Sequence, residues 1–224
     1  MDSDATQIDR DALGRYLKSL DYDSGQLVTD QPHHQGEVRL FEPKDPALPA
    51  QLIIKRPRGR GVRGWLARKT LKRESRAYER LGQLTGFAPY FGLFSEDRLV
   101  LGFVAGTPLS PHQALAEEVW NSLLDRLKQM HMAGVAHGDL KRHDNLLVSD
   151  QGEIVILDLG TAWLRKPGFR PINHWIFRFL AQTDLNAWIK HKHGGYNTVP
   201  LSDLPYLKRS WLERLLSQYR SFRR

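Results

Sequence analysis

HGDLKRHDNLLV occupies residues 137–148 of this chain, and IVILDLG follows at residues 154–160. The first stretch is a polar loop that runs into an apolar strand, and the second is an apolar strand that ends in Asp158. A hairpin of these two strands brings the chain back to the end of the polar loop. We therefore predict that Asp139, Asn145 and Asp158 lie close together at one site on the molecule.

Two carboxylates and an amide in this arrangement suit phosphoryl transfer. The transition state of that reaction is mostly charge to be held in line, and a carboxylate must orient the attacking hydroxyl and accept its proton. Asp139 is the candidate for this role, and Lys141 can neutralise the transferring phosphoryl group. Mg²⁺ usually takes one or two protein ligands besides phosphates and waters, and Asp158 and Asn145 can supply them.

The remaining sequence predicts an α+β protein in which most strands precede most helices. Short apolar runs separated by Pro, Gly, His and Asp predict antiparallel strands at residues 27–29, 38–41, 52–55, 91–94, 99–104, 146–148 and 154–157. Helical spacing of apolar residues predicts helices at residues 11–20, 65–81, 114–132, 175–190 and 207–219. Residues 58–64 are predicted to be a mobile basic loop, and residues 106–108 to break the pattern.

The motifs between residues 38 and 160 resemble, in order, those of the protein-kinase-like superfamily. Residues 137–148 resemble its catalytic loop and the strand after it, and Asp158-Leu159-Gly160 resembles its Asp-Phe-Gly motif. Ile53-Ile54-Lys55 resembles the strand whose lysine contacts the α- and β-phosphates. The resemblance implies that Lys55 binds nucleotide, that ATP is the phosphoryl donor and that Mg²⁺ is the cofactor.

The resemblance also implies a partner for Lys55 and a bilobal fold. The partner is a glutamate on the next helix, where Glu74 is the candidate and Glu79 the alternative. The expected fold has an N-terminal antiparallel sheet with one helix and a short, mainly helical C-terminal lobe. We expect an N-terminal helix within residues 1–22, an N-lobe at residues 23–104, and a reduced C-lobe at residues 105–224.

Two features depart from the superfamily pattern. Residues 31–37 contain a single glycine, Gly36, where a glycine-rich loop is expected to cover the phosphates, so Gly36 is the candidate nucleotide contact in that segment. Gly138 replaces the arginine that binds a phosphorylated activation loop. We therefore expect no regulation by phosphorylation of such a loop.

The spacing of the catalytic loop leaves two candidates for the second metal ligand. The interval from Asp139 to Asn145 is one residue longer than the superfamily pattern. Counting forward from Asp139 puts Asp144 at the metal position, whereas counting back from the strand puts Asn145 there. Adjacent extended residues point to opposite faces, so we favour Asn145, which the apolar register of the strand fixes, and keep Asp144 as the alternative.

Three other polar residues have structural interpretations. Asp184 either resembles the buried aspartate that braces the catalytic loop of kinases or caps the start of a helix. His131 and His137 lie at the end of a helix and at the head of a loop. We expect both to be hydrogen-bonded structural histidines rather than proton-transfer groups or metal ligands.

The composition favours a protein that works in a reducing compartment and binds polyanions. The 224 residues include 33 Lys and Arg against 25 Asp and Glu, a net charge of +8, and no cysteine. The excess of basic residues is concentrated at 55–73 and 208–224. The absence of cysteine excludes disulfide frameworks and thiolate sites and fits the cytoplasm. The acidic N-terminus and the lack of a long apolar run predict neither export nor a membrane span.

Within the superfamily, the chain most resembles the small bacterial kinases that phosphorylate Kdo or heptose of the lipopolysaccharide inner core. Its short length, the Lys-Arg-Glu sequence ending at Glu74 and the lack of an Ala-Pro-Glu segment after Asp158 carry that resemblance. It implies a core glycolipid as the acceptor and peripheral contact with the cytoplasmic face of the inner membrane.

Two other functions stay open. Rio-type serine kinases are the next closest group, and they would imply a protein acceptor with RNA as a possible partner of the basic surface. A pseudokinase that only binds is the third hypothesis. The retained Asp139, Lys141, Asp158 and Lys55 count against it.

Overall fold

The structure, a computed structural model, describes residues 8–29, 36–111 and 113–208. The helices in these ranges are α1 (Arg10–Ser19), α2 (Gly61–Leu81), α3 (Glu117–Met132) and α4 (Pro171–His193). The strands are β1 (Gln26–Thr29), β2 (Gly36–Phe41), β3 (Leu52–Pro57), β4 (Tyr90–Phe94), β5 (Arg98–Gly102), β6 (Gly106–Pro108), β7 (Val135–Ala136), β8 (Leu146–Ser149), β9 (Ile154–Ile156) and β10 (Trp163–Leu164). The predicted α+β class is confirmed.

The first five strands form one antiparallel sheet in the order β1-β2-β3-β5-β4. Successive side chains of a strand point to opposite faces of a sheet. Leu52 and Ile54 of β3 face α1 and are buried in a cluster that includes Leu13. Ile53 and Lys55 therefore lie on the opposite face, against α2. The alternation along β3 is what directs the Lys55 side chain toward α2.

Helix α2 begins earlier than the sequence predicts. The predicted mobile loop at residues 58–64 ends at Arg60, and Gly61 opens the helix. Gly64 permits this, because a Cβ atom there would lie 2.3 Å from the backbone oxygen of Gly59. The prediction was wrong because Gly64 allows this close backbone packing, whereas clustered glycines in a sequence are typical of a loop.

A second buried cluster joins the inner face of the first sheet to the later elements. Leu123, Leu127 and Met130 contribute to it from α3, as the helical spacing predicts. Trp188 of α4 belongs to the same cluster, and its indole Nε1 donates to the backbone oxygen of Trp120 over 2.8 Å. The core is therefore continuous between the first sheet and the C-terminal helices.

A three-stranded antiparallel sheet, β6-β8-β9, contains the predicted hairpin and one unpredicted strand. β8 and β9 pair with Leu146 opposite Ile156, which confirms the hairpin. Residues 106–108 were predicted only to break the pattern, but they form β6, with Thr107 opposite Val148. Gly106 makes the pairing possible, because a Cβ atom there would lie 2.3 Å from the backbone oxygen of Val148. An edge position also tolerates the proline of this strand.

Some predictions lie outside the described ranges. Only residues 207 and 208 of the helix predicted at 207–219 and of the basic cluster at 208–224 are described. Most of the segment 31–37 is also outside the described ranges. In the part of the chain that is described, no helix has the length and apolar character needed to cross a bilayer. The division into residues 1–22, 23–104 and 105–224 stays a prediction.

Candidate functional site

Lys55 makes ion pairs with two residues that are distant from it in the sequence. Its Nζ atom lies 2.6 Å from Oε1 of Glu74 and 3.2 Å from Oδ1 of Asp158. Lys55 comes from β3 and Glu74 from α2, whereas Asp158 follows β9. The structure therefore brings three of the predicted site residues together at one point.

The Glu74 carboxylate is buried and therefore needs the ion pair with Lys55. Glu74 is only 3% exposed, and a buried carboxylate without a partner is strongly unfavourable. Glu79, the alternative partner, lies on the exposed side of α2, where it accepts hydrogen bonds from Ser75 and Tyr90. Glu74 is therefore the glutamate that Lys55 contacts.

The two ion pairs control the charge of Lys55 and Asp158. Burial disfavours a charged Lys55, but Glu74 and Asp158 outweigh burial and raise the pKa of Lys55 above its ordinary value. The ammonium group of Lys55 lowers the pKa of Asp158 to about 2, against the opposing effect of burial. Burial raises the pKa of Glu74, and Lys55 opposes that rise. Asp158 is thus ionised at neutral pH, as a ligand of a hard cation must be.

The backbone of Asp158 adopts a conformation that non-glycine residues rarely use. Its φ is 58° and its ψ is 75°, in the left-handed region. Such a conformation costs about 1–3 kcal/mol and persists where the surroundings impose it, most often at functional sites. Oδ1 of Asp158 also accepts a hydrogen bond from the backbone N–H of Gly160 over 3.3 Å. The sharp turn after β9 therefore presents the carboxylate to Lys55.

Asp139 lies in the loop after β7, close enough to Asp158 for the two carboxylates to repel. Burial raises the pKa of Asp139, and the negative charge of Asp158 adds to the rise. A carboxylate with a raised pKa is a better proton acceptor near neutral pH. The environment of Asp139 therefore suits the predicted role of a general base.

Asn145 and Asp144 point into different surroundings. Asn145 is 6% exposed, and its Nδ2 atom donates to the backbone oxygen of Asp139 over 2.9 Å. The Asp144 side chain is 66% exposed and pairs with Arg142 at 3.1 Å. Of the two candidates, Asn145 is therefore the one that the fold holds beside Asp139.

His137 links the loop of Asp139 to the strand that leads to Asp158. The carbonyl of Leu157 can only accept, so Nε2 of His137 donates to it over 2.9 Å. Nδ1 is then free of a proton and accepts the backbone N–H of Asp139 at 3.3 Å. Because His137 is fully buried and uses both ring nitrogens in this way, it is a structural histidine, as the sequence predicts.

Asp184 braces the same loop from α4. Its carboxylate accepts the backbone N–H groups of His137 and Gly138, each over 2.8 Å, and lies 3.0 Å from Nε2 of His131. Asp184 is in the interior of α4, which begins at Pro171, so the predicted alternative of a helix cap is wrong. The φ of 79° at Gly138 suits glycine and lets successive N–H groups converge on one carboxylate.

Two basic residues to which the sequence assigned no role in the site also approach it. Arg73 donates from its guanidinium group to the backbone oxygen of Gly160, which ties α2 to the turn after Asp158. Lys190 lies with its Nζ atom 3.5 Å from the backbone oxygen of the exposed Lys141, and burial together with the charge of Lys141 lowers the pKa of Lys190. No sequence signal distinguishes either from the other basic residues.

Gly36 lies at the start of β2, opposite Pro57, which follows Lys55 on β3. A Cβ atom at Gly36 would lie 3.1 Å from the backbone oxygen of Arg56, so close packing within the sheet accounts for a glycine there. The preceding residues, 30–35, are outside the described ranges. A nucleotide contact of Gly36 stays a prediction.

The residues present fit a divalent cation that is held partly by phosphates. Asp158 offers an ionised carboxylate. Asn145 uses its amide nitrogen to donate to Asp139, which leaves its amide oxygen to serve as a metal ligand. Across the three described ranges, no group of three or more His, Asp or Glu residues could hold a metal. Mg²⁺ needs only one or two protein ligands when phosphates and waters complete its shell.

No protein-family model matches the chain, and no curated protein matches its sequence.

Proposed function

We propose that the chain is an ATP-dependent phosphotransferase with a bilobal, protein-kinase-like fold. The observation that carries the proposal is the position of Lys55 between Glu74 at 2.6 Å and Asp158 at 3.2 Å. Kinases use a strand lysine, a helix glutamate and a metal-binding aspartate together to hold the phosphates of ATP. In this proposal β1 to β5 and α2 form the N-terminal lobe, and the later elements form the C-terminal lobe.

The protein residues then have distinct roles. Lys55 binds the α- and β-phosphates, and Glu74 holds the ammonium group in place. Asp158 and Asn145 hold Mg²⁺, which neutralises charge on the phosphate oxygens. The raised pKa of Asp139 and its position beside Asn145 support a role in orienting the acceptor.

The transfer step is a displacement at the γ-phosphorus. The acceptor oxygen forms a bond to phosphorus while the bond to the bridging oxygen of ADP breaks, and the acceptor proton passes to the carboxylate of Asp139. Lys141, in the same loop, neutralises charge on the transferring group. Most of the rate enhancement comes from position and charge rather than from covalent chemistry by the protein.

The acceptor that we propose is a sugar hydroxyl of the lipopolysaccharide core, met at the cytoplasmic face of the inner membrane. The run from Lys55 to Arg73 contains no acidic residue and leads directly to Glu74 on α2. Positive charge is therefore concentrated on the helix that carries a site residue. An anionic glycolipid complements that charge.

Labelling with γ-labelled ATP and Mg²⁺ tests the function and separates its rivals. Core glycolipid and extracted protein are offered as acceptors in parallel reactions. We expect label in the glycolipid. Label in protein alone would support the Rio-like alternative, whereas no transfer together with Mg²⁺-dependent ATP binding in a thermal-shift assay would support a pseudokinase. Neither transfer nor ATP binding would contradict the whole proposal.

A further inference from the structure

The first turns of α2 expose three large apolar side chains. Val62, Trp65 and Leu66 are 74%, 54% and 46% exposed. Their spacing of three and four residues puts them on one face of the helix. Single exposed apolar residues are common in soluble proteins, but a contiguous group marks a contact surface.

The same turns are strongly basic. Four exposed cations lie on them or directly before them: Arg60, Arg63, Arg68 and Lys69. In the part of the chain that is described, none of these four takes part in an ion pair. The sequence has no acidic residue between Asp45 and Glu74. Lys69 lies over the ring of Trp65, with its Nζ atom 5.0 Å from the ring centroid. Positive charge and apolar area thus share one surface.

We propose that this α2 surface, formed by the three apolar residues and the four cations, docks on an anionic lipid bilayer. Val62, Trp65 and Leu66 enter the interfacial layer, and the cations contact the headgroups. Basic amphipathic helices that carry Trp and Leu bind membranes in this way. The aliphatic side chains Val62 and Leu66 favour lipid over nucleic acid, because single-stranded RNA is bound by aromatic stacking and by polar groups that contact base edges.

Docking through the α2 surface places the candidate site beside the membrane. Glu74 lies nine positions after Trp65 on the same helix, which corresponds to about 14 Å along its axis. The inference does not depend on the proposed phosphotransfer, because it uses exposed residues that make none of the contacts of Lys55.

Another exposed apolar group provides the competing location. Phe169, Ile172 and Trp175 are 91%, 76% and 67% exposed at the start of α4. The start of α4 is also basic, so charge alone does not separate the two groups. We assign docking to α2 because Val62, Trp65 and Leu66 all lie within the helix and Lys69 lies over the ring of Trp65. At α4, by contrast, Phe169 precedes the helix and Trp175 stacks on Phe179.

Vesicle sedimentation without nucleotide tests the assignment. The full chain is mixed with vesicles of phosphatidylcholine alone or with about one third phosphatidylglycerol. We expect salt-sensitive binding to the anionic vesicles. A variant with Val62→Ser, Trp65→Ser and Leu66→Ser keeps every charge and should bind them at least about tenfold more weakly. Met132→Ser, at an 86% exposed position of α3, is the matched control and should bind as the wild type does.

Thermal unfolding of each variant checks that the fold is retained, and Trp65→Ser alone replaces the triple variant if that variant unfolds. Equal binding by wild type and the α2 variant would overturn the inference. Loss of vesicle binding only in the variant with Phe169→Ser, Ile172→Ser and Trp175→Ser would also overturn it. A wild-type protein that does not bind vesicles would overturn it as well. If the wild type instead binds single-stranded RNA with strong salt dependence, the surface is a nucleic-acid site. Failure of the labelling reaction leaves this result unaffected.

Discussion

The Nζ atom of Lys55 lies 3.2 Å from Oδ1 of Asp158, although the two residues are 103 positions apart in the chain. The same ammonium group is 2.6 Å from Oε1 of Glu74. One cation therefore compensates two carboxylates from different elements. Changes to this group affect the stability of the fold as well as the proposed binding of nucleotide.

Lys55→Met leaves the Glu74 carboxylate buried without its cation. We expect the free energy of unfolding to fall by about 3 kcal/mol, and stabilisation by Mg²⁺ and ATP to disappear. Urea unfolding measures the first effect and thermal shift the second. Lys44→Met changes an exposed lysine and should stay within about 0.5 kcal/mol of the wild type.

A second substitution identifies the cause of that loss. Lys55→Met combined with Glu74→Leu removes both charges and should recover most of the lost stability without restoring the response to nucleotide. A double variant no more stable than Lys55→Met would show that the unpaired charge of Glu74 is not responsible.

Asp139→Asn removes the proposed proton acceptor while it preserves the shape of the side chain. We expect kcat for phosphoryl transfer to fall at least about 100-fold, which is the usual contribution of general-base catalysis. ATP binding and the melting temperature should change little. Asp150→Asn, in the exposed turn between β8 and β9, is the control. Wild-type kcat in Asp139→Asn would remove the residue from the mechanism.

Asn145→Ala tests the choice of metal ligand. We expect the Mg²⁺ concentration for half-maximal activity to rise about tenfold, whereas Asp144→Ala should change it by less than about twofold because that side chain faces solvent. Asn145→Asp restores an oxygen ligand and should recover part of the Mg²⁺ response. The opposite ranking of the two alanine variants would assign the metal to Asp144.

Asp158 makes part of the stability sensitive to acid. Lys55 lowers its pKa from 3.8 to about 2. The contribution is therefore fully present above a pH of about 4 and is lost as the pH falls through about 2. The Asp158→Asn variant lacks this contribution to stability. Its backbone should stay unchanged, because asparagine tolerates the left-handed conformation. The side chain is 42% exposed, so solvent screening reduces the expected difference to about 1 kcal/mol at neutral pH.

Urea unfolding of wild type and Asp158→Asn over a series of pH values measures this contribution. The difference between the two proteins should vanish at the acid end of the series. A difference that does not change with pH would mean that the ion pair with Lys55 does not stabilise the fold.

Asp184→Ala removes the acceptor of two backbone N–H groups, that of the buried His137 and that of the partly buried Gly138. We expect a loss of about 3 kcal/mol in the free energy of unfolding, together with a lower kcat because the loop of Asp139 is no longer held. Asp184→Asn keeps one acceptor oxygen and should lose less. Asp125→Ala, whose side chain is 66% exposed, serves as the control. Equal stability of Asp184→Ala and the wild type would contradict the bracing role.

Local patterns in the sequence were sufficient for the class of the fold and for most of its elements. The short apolar run at residues 52–55 predicted β3, because such runs between turn-forming residues are typical of strands. Helical spacing from Leu123 to Met130 predicted α3, because that periodicity follows directly from backbone geometry. The two short strands β7 and β10 were missed. The start of α2 and the strand β6 were missed as well. Both depend on glycines, Gly64 and Gly106, whose role is set by backbone that approaches from elsewhere in the chain.

By itself the sequence determined the α+β class, the hairpin that leads to Asp158 and the identity of the candidate residues. Tertiary structure alone decided that Lys55 contacts Glu74 rather than Glu79, that Asn145 and not Asp144 lies beside Asp139, and that Asp184 supports the loop instead of capping a helix. The physical reason is the distance along the chain between the residues that determine each feature. Periodicity is visible among neighbours in the chain, whereas the partner of a buried charge is selected by packing between elements that the sequence keeps far apart.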